Sequence, residues 1–217
     1  MLDNARTIAL SSPCQDGAIA LERCIRQRRS VRGFRDQALT EPALGQLLWA
    51  AQGVTLDDGR RAVPSAGALY PLELYISLGK AVSLPAGVYH YAPGRHELGA
   101  VMSGRRHEKL VEAARGQEWI ATAPAVVCIA ADFERTSAKY GQRGRGYVYI
   151  EAGLAAESLM LQAVALGLAT TLVGAFDDEE VKRVLHLGVN ETPLCLVAVG
   201  APESSPGDRR GSANWDI

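Results

Sequence analysis

Three arginines and a serine fall within five positions at Arg28-Arg29-Ser30-Val31-Arg32, with Gly33-Phe34 following. Guanidinium groups present planar donor forks that match phosphate oxygens. Arg28 and Arg32 are four apart, so on a continuing helix their like charges would repel by roughly 0.2–0.5 kcal/mol. A bound phosphate would reverse that sign; a solvated basic helix end is the competing reading. A second stretch, Pro64-Ser65-Ala66-Gly67-Ala68-Leu69-Tyr70-Pro71, sets small side chains between two prolines. Such a turn lets a flat ligand approach the backbone, with the Ser65 hydroxyl at hand. A third, Val173-Gly174-Ala175, lies between a strand end and a helix start, where backbone N–H groups are free for an acceptor. Each of the last two could equally be a plain turn.

Lys139-Tyr140 is the one candidate pair for proton transfer. Neighbours on a helix point about 100° apart, so both reach one substrate only if the backbone leaves the helix there. Gly141, Gly144 and Gly146 just downstream permit that. A lysine in this role needs its pKa lowered by burial or a nearby charge; the alternative is a surface lysine beside a packing tyrosine.

Several chemistries find no motif. There is no Walker A loop and no G-x-S-x-G elbow, and the glycines at 141, 144 and 146 have the wrong spacing for a dinucleotide fingerprint. The histidines (His90, His96, His107, His186) form no H-E-x-x-H pattern, and the four cysteines contain no C-x-x-C pair, so no metal site is expected. With 23 basic and 24 acidic residues the net charge is −1, which gives no global attraction to nucleic acid or an anionic membrane. Residues 1–16 lack a basic region followed by an apolar core, and no apolar run approaches bilayer length. A cytoplasmic protein is expected.

The elements that must position these residues follow from periodicity. A helical pattern starts at Ala18 and runs into the arginines. A second helix is capped by Thr40, carries Pro42 in its first turn and stops at Gly53. Leu72–Leu78 alternates as a half-buried strand, and Val88–Tyr91 with His96–Leu98 reads as a surface hairpin. A helix around Arg106–Arg115 precedes Ala125–Ala131, an entirely apolar run that reads as a central strand buried on both faces. Residues 132–146 turn polar. Tyr147–Leu166 is the longest helix, apolar nearly all round and hence in the core or at a subunit interface. A strand at Ala169–Val173, a helix Glu179–Leu187 started by the Asp177/Glu180 capping box, and a strand Leu194–Val199 complete the series. These describe one α+β domain over residues 1–217, with 1–17 and 203–217 as extended or loosely ordered ends.

The arginine cluster, the Pro64–Tyr75 stretch, Lys139-Tyr140-Gly141 through Tyr147–Gly153, and Val173-Gly174-Ala175-Phe176-Asp177-Asp178, in that order, resemble the FMN-dependent nitroreductase superfamily. The likeness is closest to its SagB-type dehydrogenase branch, which includes azoline oxidases of peptide-modifying pathways, and it covers about residues 20–202. The resemblance implies a nitroreductase-like fold with a central mixed or antiparallel sheet flanked by helices, in an intertwined homodimer with FMN at the interface. By position, Arg28, Arg29, Ser30 and Arg32 would hold the ribityl phosphate, with Arg209 or Arg210 adding charge. Pro64, Ser65, Ala66 and Ala68 of the other subunit would line the isoalloxazine. Val173, Gly174 and Ala175 would set backbone N–H groups near flavin N5 and O4, with Gln117 at the ring's polar edge. Lys139 and Tyr140 would assist proton removal while hydride passes to N5.

A cationic cradle, an apolar wall and donors at the polar edge are what FMN requires of a protein. The expected function is ping-pong hydride transfer on a small-molecule or peptide-derived substrate. An NAD(P)H-dependent nitro- or quinone reductase is the alternative enzyme, and a non-catalytic flavin-binding sensor or partner module the alternative of another class. The chain is short beside the peptide-modifying relatives, with no added N-terminal region for a leader peptide, so the azoline substrate is the least secure part of the resemblance.

Overall fold

The computed structural model describes residues 7–203. Strand β1 (Thr7–Ala9) lies in the stretch the sequence suggests is unstructured, where three residues of pairing to a neighbour are enough to order it. Helix α1 (Leu21–Gln27) stops short of the arginines: Arg28 is already extended, at φ −55°, ψ 125°. The like-charge repulsion expected of a continuing helix therefore does not arise. Helix α2 (Glu41–Gln52) starts as its residues dictate, with the Thr40 side chain accepting from Ala43 N and Pro42 in the first turn. It ends at Gly53 in an extended rather than left-handed conformation.

After a 3-10 turn at Ala66–Ala68 come β2 (Leu72–Leu78), β3 (Gly87–Ala92) and β4 (Glu97–Ser103). Helices α3 (His107–Ala113) and α4 (Trp119–Thr122) then lead into β5 (Ala125–Asp132). The polar stretch beyond it forms helix α5 (Phe133–Tyr140), capped by the Asp132 carboxylate on Glu134 N. Its charged composition hid it, because only one of its residues, Thr136, is buried. The long helix α6 starts earlier than expected, at Arg143, and runs to Ala165. Strand β6 (Ala169–Val173), helix α7 (Asp178–Leu185), capped by Asp177 on Glu180 N, and β7 (Glu191–Gly200) follow.

The seven strands form one sheet in the order β1-β4-β3-β2-β5-β7-β6, with every strand-to-strand pairing antiparallel. Alternation sorts the side chains into two cores. Val127, Ile129, Leu74 and Ile76 face α2 and α6; Val126, Cys128, Tyr75 and Leu196 face the layer of α3, α4 and α7. Helices thus cover both faces, and this corrects two expectations. Strand β2 is buried on both sides, Ser77 included, and the β3–β4 hairpin is an internal part of the sheet with Val88, Tyr89, Tyr91 and Leu98 buried.

Helix α6 is, by length and composition, apolar enough to cross a bilayer, contrary to the expectation from the sequence. It is the core helix on one face, packed against α1, α2, α5 and the sheet through Val148, Ala152, Ala155, Leu159 and Ala163. It is not buried all round. Tyr149, Ile150 and Leu154 form an exposed apolar stripe, and Leu21 and Ile25 of the neighbouring α1 are exposed as well.

Two glycines set the α5–α6 corner. Gly141 adopts φ 57°, ψ −145°, a region that L side chains rarely enter. At Gly144 a Cβ would sit 3.0 Å from both Ser137 Cα and Thr136 O, so the two helix backbones are in close contact. Gly144→Ala should therefore overpack the crossing and lower stability by about 1–3 kcal/mol in urea unfolding, without loss of helix content by circular dichroism.

Candidate active site

The turn before β2 is wound tightly. Gly67 (φ 64°), Ala68 (φ 53°) and Tyr70 (φ 46°) are left-handed, and a non-glycine residue there costs on the order of 1–3 kcal/mol unless its surroundings hold it. Here they do. Ser65 Oγ accepts Tyr70 N–H at 2.9 Å, Arg61 lies 4.5 Å over the Tyr70 ring, and Arg135 Nη1 donates to Tyr70 O at 3.2 Å.

This turn faces the end of α5. A Cβ at Gly67 would lie 2.8 Å from Tyr140 Oη and 3.0 Å from Lys139 Nζ, so both side chains converge on a residue that has none. The expected departure from helix is displaced by one residue. Lys139 and Tyr140 are both helical and the chain breaks at Gly141, yet in the last turn two long side chains can still bend to one point. Tyr140 is buttressed edge-on by Tyr147 at 5.3 Å, and the Lys139 ammonium lies 5.4 Å from the Tyr140 ring. Within the single chain Lys139 is exposed, so the burial asked of a proton-transfer lysine is not met by this chain alone.

What holds α5 over the turn is a cluster that the sequence did not flag. Glu73 bonds His90 Nε2 through Oε2 (2.7 Å) and Arg135 Nη2 through Oε1 (2.6 Å), while Arg135 Nε also reaches Asp132 at 3.5 Å. Burial alone would raise the Glu73 pKa, but the bonds from His90 and Arg135 outweigh it and hold the carboxyl below its ordinary value. Only the alternation of Glu73 against Leu72 and Leu74 hinted at a carboxylate beside the sheet.

The other candidates form a second group. Past Arg28 the chain runs extended beside the start of β6: Ser30 bridges Thr170, Val31 N donates to Thr170 O (2.9 Å), and Thr171 Oγ1 donates to Val31 O. Arg32 stacks 5.1 Å over Trp119, a residue absent from the sequence candidates, and Arg29 Nη1 donates to Arg28 O. Arg28 has a loose contact of 3.4 Å with the exposed Glu157; Arg29 and Arg32 have no carboxylate partner among the described residues. Gln117 Nε2 donates to Ala175 O at 2.8 Å, which ties it to the Val173-Gly174-Ala175 corner. Val173 is buried, Gly174 and Ala175 are exposed, and a Cβ at Gly174 would meet nothing within 4 Å. Arg209 and Arg210 lie outside the described residues.

The structure thus brings the candidates together in two groups, not one. The Pro64–Ala68 turn belongs to β2 and the Gly174 corner to β6, three strand spacings apart, on the order of 14 Å. A cleft of about 920 Å³ contains none of them; Cys14, Thr40, Trp49 and Leu161 are among its walls. Among the described residues no group of three His, Cys, Asp or Glu side chains is placed to hold a metal ion.

Comparison with known proteins decides the family. Residues 25–201 match the model of the nitroreductase family. The chain belongs to the nitroreductase family. A nitroreductase-family protein of Methanocaldococcus jannaschii is 44% identical over 182 residues, which is 84% of this chain and 91% of that protein. A nitroreductase structure from Anabaena variabilis superposes with a TM-score of 0.81 at 29% identity, covering 91% of this chain; the chain spans 42% of that longer one. The microcin synthetase complex of E. coli, with truncated pro-MccB17 bound, matches at a TM-score of 0.70 and 26% identity, over 79% of this chain and 68% of that one. This family member is accordingly an oxidoreductase with the α+β fold of its family.

The Glu73 cluster makes a pH-dependent contribution of definite sign. Because the folded pKa lies below the unfolded value of about 4.3, the stabilisation is present above that value and is lost as pH falls through the folded one. Glu73→Gln should therefore be less stable than wild type at pH 7 by about 1–3 kcal/mol, as for loss of a charged hydrogen bond. In urea titrations at stepped pH that difference should shrink as pH falls below the unfolded value of about 4.3 and through the lower folded one.

Proposed function

We propose that this protein is an FMN-dependent dehydrogenase of the SagB type that works as a homodimer. The observation that carries the reading is the convergence of Lys139 Nζ and Tyr140 Oη over Gly67, in a turn shaped to leave its backbone open. The donor set fits the phosphate end: Arg29 and Arg32 have no acidic partner among the described residues, and Arg28 is held only loosely. The space above Gly174 fits a ring edge approaching backbone N–H groups.

In this reading Arg28, Arg29, Ser30 and Arg32 hold the phosphate as charge-assisted donors. Gly174 and Ala175 present N–H groups where negative charge develops, with Gln117 fixing the corner through the Ala175 carbonyl. Pro64, Ser65, Ala66 and Ala68 wall the ring from the other chain. FMN, when bound, supplies the two-electron acceptor for the hydride of a substrate C–H bond. Lys139 and Tyr140 hold and remove the accompanying proton at Nζ and Oη, with partner-chain packing supplying the burial that Lys139 lacks. The distance between the two residue groups within one chain supports a site shared by two. The exposed stripe of Tyr149, Ile150 and Leu154, with Leu21 and Ile25, offers the apolar surface that a stable dimer buries.

The substrate class is a small molecule or a peptide-derived ring, supported by the likeness to a chain of the microcin synthetase complex. We place the enzyme in the cytoplasm. The family relationship equally supports a reductase driven by NAD(P)H, with a nitroaromatic or quinone as acceptor.

The purified protein should be yellow and release FMN on denaturation; a colourless protein that cannot be reconstituted with FMN would sink the proposal. Arg32→Ala should raise the FMN dissociation constant by roughly 10- to 100-fold, the loss expected for one charge-assisted bond. Lys139→Ala and Tyr140→Phe should each reduce substrate dehydrogenation by about 10²- to 10⁴-fold while leaving NAD(P)H-driven reduction near wild type. Equal activity of both variants in both assays would leave the reductase reading in place of the dehydrogenase.

A further inference from the structure

Helix α6 carries one carboxyl into the interior. Glu151 is 3% exposed, and its Oε1 has no hydrogen-bond partner among the described residues. Three side chains from three segments act on it: Ser65 from the turn before β2, Gln52 from the last residue of α2, and Arg61 from the loop between them. Gln52, 1% exposed, accepts from Arg61 Nη1 at 2.9 Å through Oε1, while its Nε2 is also without an aligned acceptor. The Gln52 amide therefore acts on Glu151 as a nearby dipole, not through a well-formed bond. Ser65 is shared, since its oxygen accepts the Tyr70 N–H that closes the strained turn. Glu151 thus acts on the segment that meets Lys139 and Tyr140 at Gly67.

We propose that Glu151 is the positioning residue of the Pro64–Tyr70 turn, its buried, uncharged carboxyl supporting Ser65, and that loss of its proton loosens the turn. A buried carboxylate with one oxygen unpaired loses solvation that its neighbours only partly replace. Burial accordingly dominates and raises the Glu151 pKa to about 7, against the smaller opposing pulls of Ser65, Arg61 and Gln52. Arg61 is the one charged group acting on Glu151 among the described residues; Glu73, Tyr70 and Arg135 act in turn on Arg61. The folded pKa lies above the unfolded one, so the folded state keeps the proton more tightly. The support given by the neutral form is complete below about pH 4.3 and is lost as pH rises to and through about 7.

Two readouts test this, one of which depends on the FMN reading above and one of which does not. In the protein as purified, amide exchange by NMR should show the Tyr70 protection factor falling about three- to tenfold between pH 6 and pH 8, since one proton changes an equilibrium by at most tenfold per pH unit. Glu151→Gln, isosteric with the neutral acid, should keep the low-pH value throughout, while Glu151→Ala should be weakly protected at every pH. The wild-type Glu151 carboxyl ¹³C shift, which needs no variant to fold, should titrate near 7. A Tyr70 protection factor that is flat in wild type, or a Glu151 carboxyl that titrates near the ordinary value of about 4.3, overturns the proposal.

FMN affinity by fluorescence quenching should weaken over the same pH range in wild type and stay constant in Glu151→Gln. Equal FMN affinity at pH 6 and pH 8 in wild type also overturns the role of Glu151. Absence of FMN binding at any pH defeats the proposed function, and the amide and carboxyl measurements then decide the Glu151 assignment by themselves.

Discussion

The pairing of β2 with β5 is the constraint on which the site depends. Seven residues of each strand lie in register, from Leu72 against Ala131 to Leu78 against Ala125, and the pair is buried under helices on both faces. A one-residue slip would exchange the two cores, so the register is strongly held. At its open end Asp132 N donates to Pro71 O at 2.9 Å. The turn that enters β2 and the helix that leaves β5 therefore begin side by side. Arg135, one turn into α5, then reaches Tyr70 O and the Glu73 carboxylate, which fixes the angle between them. Lys139 and Tyr140 lie one further turn along and meet Gly67 as a consequence.

The same geometry accounts for what one chain leaves unfinished. The turn side has the Lys139–Tyr140 pair and a strained, exposed backbone, but its guanidinium groups are engaged, Arg61 with Gln52 and Tyr70 and Arg135 with Glu73 and the Tyr70 carbonyl. The β6 side has three guanidinium groups and an open glycine corner, but no counterpart of that Lys-Tyr pair. Each group is well ordered in its own right: Ser65, Arg61 and Arg135 hold the first, and Thr170, Thr171, Trp119 and Gln117 the second. Neither depends on the other for its shape.

Much of this was legible in the residues. The caps at Thr40 and Asp177 announced their helices, and the apolar run 125–131 announced a strand buried on both faces. Helix α5 was not legible because a helix with one buried residue has no apolar periodicity to show. Strand β2 reads as half-buried because Glu73, Tyr75 and Ser77 alternate with its aliphatic residues, whereas Glu73 is paired and Ser77 is sealed under α3, where His107 reaches the Ser77 carbonyl. Of the candidate site, the arginines, the small-residue turn, the glycine corner and the Lys-Tyr pair are readable as candidates from the sequence, since side-chain chemistry and backbone freedom are written locally. Trp119, Arg61, Arg135 and Glu151 are not. Their roles come from long-range neighbours, and of the two glutamates inside the apolar pattern of α6, Glu151 and Glu157, nothing local marks the first as the buried one.

The extended arginine segment also has a consequence for solubility. Strand β6 ends the sheet, and a bare edge offers its N–H and C=O groups to any other chain. Residues 30 and 31 occupy the beginning of that edge, bonding to Thr170 and Thr171, and place guanidinium charges around it. Cations beside an edge strand discourage strand addition from a second molecule. The cluster that an anion would neutralise is thus also a guard against edge-to-edge aggregation, so charge removed there for any purpose leaves the β6 edge less guarded.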